Sequence, residues 1–161
     1  MDVEAVFEER YWYPDDGSIV WLSGYALVGD DGRFLARDAP QLARRGLIVA
    51  SVAGAARHHL EALASDAAAP GSALTLRRDP ANEHDPDAIA VELRGGGQLG
   101  WVPRAIAALL APELDAGSTW SALSLRESRP SPRDPRAGVT MLLARAPSIE
   151  LRDRPRRRPP R

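Results

Sequence analysis

The chain contains no cysteine, so a thiolate nucleophile, an iron–sulfur cluster, a cysteine-based zinc site and a disulfide framework are all excluded. Lysine is absent too, all 21 basic residues being arginine, and a P-loop of the form G-x-x-x-x-G-K-[ST] is therefore impossible. Neither G-x-S-x-G nor H-E-x-x-H occurs, which leaves hydrolysis by the familiar serine and zinc routes unsupported. No apolar run approaches membrane-spanning length, and Met1 to Tyr13, with Asp2, Glu4, Glu8 and Glu9, lacks the apolar segment of a secretory signal. A cytoplasmic location with no membrane partner is the expectation. No internal repeat is evident.

What is present is enough for one domain: 161 residues, 44% of them hydrophobic, bury a core without disulfides or structural metal. The net charge of -1 hides an asymmetry. From Arg126 onward 11 arginines face four acids (Glu127, Asp134, Glu150, Asp153), giving +7 against -8 for everything before. The exclusive use of arginine, beside many alanines and prolines, reads as coding bias and carries no functional weight.

Residues 1–46 hold two aromatic-rich apolar runs, Val3 to Tyr13 and Ile19 to Val28, separated by Pro14-Asp15-Asp16-Gly17. Asp30-Asp31-Gly32 before Phe34-Leu35 is a hairpin signal, so an N-terminal β-ribbon is expected, followed by a short helical turn at Pro40 to Arg45. Leu47 to Val52 reads as a buried strand ending at Gly54. In the helix expected over Ala55 to Ser65, residues Ala56, Leu60, Leu63 and Ala64 share one face, with Arg57, His58 and Glu61 pointing away and His59 on the flank. Leu74 and Leu76 alternate with polar neighbours in one strand, Ile89, Val91 and Leu93 in another, and a polar loop from Asp79 to Asp87 joins them. Gly95-Gly96-Gly97 turns into a short strand, Gln98 to Val102. Pro103 then starts a helix whose buried face is Ile106, Leu109, Leu110 and Leu114. Trp120 to Arg126 and Val139 to Ala144 complete the strands. The Arg- and Pro-rich segment 148–161 is too polar to fold. The whole predicts a mainly β fold with two short helices. It is a small OB-like or SH3-like antiparallel barrel over 47–147, preceded by the 1–46 ribbon and followed by a disordered tail.

Gly95 to Gly100 matches G-x-G-x-x-G in form, but it leads into a strand and Pro103, whereas a dinucleotide site must open a helix. His58, His59 and His84, with Asp85 and Asp87, offer imidazole and carboxylate ligands for a metal. Adjacent histidines on a helix point about 100° apart, so they chelate one ion poorly, and surface residues beside a groove is the plainer reading. Arg78 to Val91 packs two prolines, an asparagine and several acids ahead of a clean strand. Asx turns and fixed proline φ angles account for such a composition without any ligand, so shape and function both remain open from chemistry alone.

The stretch RDPANEHDPDAIAVEL (Arg78 to Leu93), followed by GGGQLGWVPRAIAALLAPELDAG (Gly95 to Gly117), resembles the core of the HIRAN family. Members carry an arginine-acid-Pro…Asn-Pro-Tyr-Asp…Asn-Ala-Ile-x-Val loop and strand, then a Gly-aromatic-hydrophobic-Pro turn into a helix. The likeness reaches back to Leu47–Gly54 and forward to Val139–Ala144, about 100 residues in all. It implies an OB-like domain that binds single-stranded DNA at its free 3′ hydroxyl, without enzymatic activity or cofactor, beside a helicase or nuclease in DNA repair or processing. By position, the resemblance makes Asp85 the end-reading acid, with Asn82 and His84 flanking the terminal nucleotide. It makes Arg57, His58 and His59 the basic and aromatic positions that meet phosphate and base, to within one residue of register. Trp101 and Arg104 fall on the Gly-aromatic turn and on a basic position just inside the helix. Differences from the family pattern are His84 for tyrosine, Glu83 for proline and Asp87 for asparagine. These acids oppose phosphate, and Arg57, Arg77, Arg78 and Arg104 are the arginines placed to offset them. The Arg-rich tail beyond Arg152 has two readings that stay open, a source of sequence-independent DNA affinity or a disordered solubilising tail. Two other functions stay open. One is a protein-interaction module of a DNA-processing or defence complex, docking through Tyr11, Trp12, Tyr13, Trp21 and Tyr25; the other is a metal-dependent hydrolase using His and Asp.

Overall fold

The computed structural model describes residues 1–12, 20–55, 59–129 and 138–154. The chain forms β1 (Asp2–Trp12), β2 (Val20–Leu27), α1 (Pro40–Arg44), β3 (Leu47–Ser51), α2 (Leu60–Leu63), β4 (Ala73–Arg78), β5 (Ile89–Leu93), β6 (Gln98–Trp101), α3 (Arg104–Asp115), β7 (Ser121–Arg129), β8 (Gly138–Ala144) and β9 (Glu150–Asp153). Strands β3, β8, β7, β4, β5 and β6 pair in that order, each antiparallel to the next. Among the described residues the sheet is not closed by a ladder. Its two ends meet at one bridge, where Ala53 N–H donates to Trp101 O (2.8 Å) and Trp101 N–H donates to Ala53 O (2.9 Å). A mainly β, barrel-like fold is therefore what the alternation of Leu74/Leu76 and Ile89/Val91/Leu93 builds.

Two apolar clusters hold it. The first fills the barrel with Ile89, Val91, Leu99, Met141 and Leu143, covered by Leu110 and Ala111 of α3. The second lies where β1 and β2 meet β3, β7 and β8, and contains Val3, Ala5, Leu27, Leu47, Leu125 and Leu142. The ribbon is joined to the barrel by pairing as well: β2 runs antiparallel to β7 from Trp21↔Arg129 to Gly24↔Arg126. The hairpin signal at Asp30-Asp31-Gly32 forms a turn closed by the Val28↔Phe34 bridge, with Gly32 at φ 78°, a value glycine adopts without strain.

Three expectations are corrected. Glu150–Asp153, placed by sequence in an unfolded tail, forms β9 and pairs in parallel with Asp2–Ala5, which makes the sheet mixed. Ile149 and Leu151 pack on the second cluster, and Arg152 and Arg154 pair with Asp2 and Glu4, so the segment's polarity is neutralised locally. Leu109 is 70% exposed, because α3 turns Ala107, Leu110 and Ala111 inward with Ile106 and Leu114 at the margin. Ala64 is exposed, whereas Leu63 and Ala55 are buried. The Pro14–Gly17 link, Ala56–His58, the loop 130–137 and the tail from 155 lie outside the described residues.

One glycine decides whether the barrel ends can meet. A Cβ on Gly100 would fall 2.4 Å from the Ala53 carbonyl oxygen and 2.6 Å from Val52 Cγ1. The contact is with main chain, which cannot swing aside. Gly100→Ala is expected to lower stability by about 1–3 kcal/mol, the usual range for an overpacked interior. Urea denaturation followed by circular dichroism checks this, and an unchanged midpoint would contradict the close approach.

Candidate nucleic-acid interface

The loop between β4 and β5 is shaped by its own short polar side chains. Asn82 Oδ1 accepts from the N–H groups of His84 (2.9 Å) and Asp85 (3.1 Å), and Asn82 Nδ2 donates to Asp79 Oδ2 at 3.3 Å. Asp85 Oδ1 in turn accepts from Asp87 N–H at 2.9 Å. These are the Asx-type turns that the Asn and Asp spacing favours. The loop is closed at its base by Asp79 N–H to Ala88 O at 2.9 Å.

This arrangement gives the two oxygens of Asp85 different surroundings. Oδ1 is held by the Asp87 amide, while Oδ2 lies 3.8 Å from Arg104 Nε. At that separation the groups attract as charges without sharing a hydrogen bond. The Asp85 side chain is 18% exposed and that of Arg104 79%. A recessed carboxylate oxygen thus sits beside an accessible guanidinium at the first residue of α3. Pro103 caps that helix without a side-chain hydrogen bond, and its own first turn carries no acid, so the acid facing the helix start is Asp85 from the neighbouring loop.

The other end of the loop is clamped by Arg78. This mostly buried side chain donates Nε and Nη2 to the two carboxylate oxygens of Asp115 (2.9 and 3.2 Å) and Nη1 to the Ala88 carbonyl at 2.9 Å. The hydrogen bond from Arg78 holds the Asp115 carboxyl below its ordinary range. Hydrogen bonding to Asp115, with lesser attraction from Asp87 and Asp85, makes Arg78 still more basic. Arg77 is likewise committed, to Glu92 across the strand pair at 2.6 Å. Two of the four arginines expected to offset the loop's acids therefore serve the scaffold. Arg104 remains at the surface, and Arg57 lies outside the described residues.

The other sequence-derived site residues fall as follows. Asn82, Asp85 and Arg104 come together directly. His84 is exposed and joins them through its amide on Asn82. Trp101 is half-buried and reaches the far strand by main chain, through the bridge to Ala53. His59 is half-buried past the end of β3, with its N–H on Ala55 O at 3.0 Å. His58 lies outside the described residues, as do the side chains of Tyr11, Trp12, Tyr13 and Trp21. Tyr25 is half-buried and meets Phe7 edge-on, with ring centroids 5.3 Å apart. Among the described residues no group of three or more His, Cys, Asp or Glu is placed to hold a metal ion, and no helix is long and apolar enough to cross a membrane. Sequence reasoning missed the partner of Arg78. Asp115 stands 37 residues away, and no local pattern joins the two.

A family model, HIRAN domain, matches residues 46–135. The chain belongs to the HIRAN family. A rice (Oryza sativa subsp. japonica) protein named Fanconi-associated nuclease 1 homolog is 50% identical over 48 residues, which are 28% of this chain and 5% of that protein. The chain thus spans a small fraction of that curated relative. The crystal structure of the HIRAN domain of human HLTF is similar at 19% identity and a TM-score of 0.46, covering 62% of this chain and 74% of that one. A Lactobacillus plantarum protein is similar at 20% identity and a TM-score of 0.46, covering 60% and 91%. The HIRAN match includes the Asp85 loop, the Gly100 turn, Arg104 and the Arg78–Asp115 clamp, and leaves out most of the ribbon as well as β8 and β9.

The clamp has a pH signature. Because the folded Asp115 carboxyl titrates below the unfolded one, its contribution is fully present above the ordinary carboxylate pKa of about 4. That contribution is lost as pH falls through the lowered folded value. Asp115→Asn is expected to be less stable than the unmodified HIRAN chain at pH 7, with the gap closing as pH falls below the ordinary carboxylate range. Denaturation midpoints of both chains across pH measure it; a constant gap would refute the linkage.

Proposed function

We propose that this HIRAN domain captures single-stranded DNA at its free 3′ hydroxyl end, as a binding module without catalysis of its own. One observation carries the reading: Asp85 Oδ1 is satisfied by the Asp87 amide while Oδ2 stays recessed beside the exposed Arg104 guanidinium. A terminal 3′ hydroxyl is a hydrogen-bond donor, and an internal phosphodiester at the same place is not. A carboxylate oxygen held in a shallow recess therefore accepts an end and turns away a continuous strand. Arg104, one side chain away, meets the last phosphodiester. In this reading Asn82 does not touch DNA. It fixes the amides of His84 and Asp85 and so positions the acid. His84, and His59 with Arg57 and His58, supply faces for the terminal bases, with less stacking area than tyrosine offers.

The charge balance predicts a modest and salt-sensitive affinity. Asp79, Glu83, Asp85 and Asp87 surround the pocket, and phosphate must approach them with Arg104 as the nearby counter-charge. DNA repair or processing, in company with a helicase or nuclease, is the setting we infer. The rice relative's name, a nuclease homolog, supports that setting.

Titration of the full chain at low salt with single strands bearing a 3′ hydroxyl or a 3′ phosphate tests the reading. The hydroxyl-terminated strand should bind roughly tenfold or more tightly, the worth of one charge-assisted hydrogen bond. Equal affinities would sink end reading, and no binding to either would sink DNA binding. Arg104→Ala should weaken every strand alike and reduce the slope of log affinity against log salt by about one phosphate contact. Asp87→Asn keeps the amide that holds Asp85 and removes a repelling charge, so it should tighten binding; a looser complex would speak against the electrostatic account.

A further inference from the structure

Apart from the Asp85 loop, the chain carries a cleft of about 510 Å³ where the N-terminal ribbon meets the ends of β3, β7 and β8. None of Asn82, His84, Asp85, Trp101 or Arg104 lines it. Much of it comes from residues outside the HIRAN match, among them Glu8, Leu22, Arg37 and Thr140. It is therefore a feature of this chain's ribbon and barrel together, of the size that small ligands occupy, about 300–1,000 Å³.

Its chemistry is of two kinds. Arg37 and Arg126 bring guanidinium groups to the wall, and Ser51 and Ser128 bring hydroxyls. Arg37 is exposed, and among the described residues it makes a long hydrogen bond, Nη1 to Ser51 Oγ at 3.4 Å, with no carboxylate in ion-pair range. The guanidinium is a fork of five N–H donors, and that geometry suits phosphate. Glu8 and Glu127 supply carboxylates to the same cleft, Glu127 being only 7% exposed. Carboxylates are poor company for a bare anion but good acceptors for sugar hydroxyls and for the exocyclic amines of bases. Part of the wall is bare main chain at Gly24, where a Cβ would fall 2.4 Å from the Leu125 carbonyl oxygen.

We infer that this cleft binds a nucleotide, its phosphate on Arg37 and its hydroxyl or amine donors toward Glu8 and Glu127. A molecule with an anion at one end and donors at the other answers both halves of the lining, whereas inorganic phosphate answers one. Two sources share that chemistry: a free mononucleotide, or a nucleotide of a bound strand upstream of its end.

Calorimetric titration of the full chain with AMP, dAMP and inorganic phosphate forms one arm, and titration with a tetranucleotide and a dodecanucleotide the other. The expected result is saturable mononucleotide binding tighter than that of phosphate. Arg37→Ala should weaken it about tenfold, the loss of one charge-assisted hydrogen bond. Arg33→Ala, a change at a solvent-exposed arginine outside the cleft, should leave it within about twofold, as expected of a screened surface charge. AMP and dAMP also carry the 3′ hydroxyl that the Asp85 pocket would accept, so this arm is repeated in the Asp85→Ala chain, where the mononucleotide binding that remains reports the cleft alone. If mononucleotides do not bind but Arg37→Ala weakens the dodecanucleotide and spares the tetranucleotide, the nucleotide in the cleft belongs to the strand. If Arg37→Ala changes neither arm, or Arg33→Ala acts as strongly, the cleft holds no nucleotide.

Discussion

The candidate site depends on how closely β6 approaches the end of β3. Gly100 lets the two main chains touch, the Ala53–Trp101 bridge locks them, and Pro103 starts α3 immediately after. That sequence of events sets where Arg104 stands. The loop carrying Asp85 runs from β4 to β5, and β5 is the neighbour of β6. One backbone contact therefore brings an acid from one loop and a base from a helix to the same place. A larger residue at position 100 would disturb the pocket without being part of it.

The loop itself is a balance between local order and charge. Asn82 and Asp85 spend acceptors on backbone amides, which gives the segment a defined shape with no regular secondary structure. Arg78 and Asp115 tie its base to the far end of α3, while Asp85 and Arg104 face each other at the near end. The helix is thus spanned by two ion pairs of different kinds. The first is bidentate and closes a carbonyl as well, the geometry of a structural clamp. The second is long, exposed on the basic side and without a hydrogen bond, the geometry of a pair that a ligand can part.

What the sequence made legible was local. Alternation over Leu74–Leu76 and Ile89–Leu93 announced two strands, and the Asn82-to-Asp85 spacing announced a shaped loop, because both patterns act over two to four residues. The resemblance then singled out Asp85 and Arg104, which the fold brings within 3.8 Å. Features set by distant partners were hidden. Arg78 counts in the sequence among the arginines offsetting the loop's acids, because its partner Asp115 is 37 residues away. Glu150–Asp153 looked unfolded because its strand partner is Asp2–Ala5, at the other end of the chain. Leu109 was placed in the core because spacing marks an apolar face without saying how wide a face the barrel covers.

The central claim is that Asp85 Oδ2 accepts a hydrogen bond from a terminal 3′ hydroxyl. The most direct measurement is a double cycle in which a strand ending in a 3′ hydroxyl and one ending in a 2′,3′-dideoxy nucleotide are each titrated against the chain and against Asp85→Ala. The dideoxy end removes the donor and adds no charge. The account predicts a preference for the hydroxyl end of roughly tenfold or more in the unmodified chain, abolished in Asp85→Ala, hence a coupling of about 1.4 kcal/mol or more. A preference of the same size in both chains, or in neither, would contradict it.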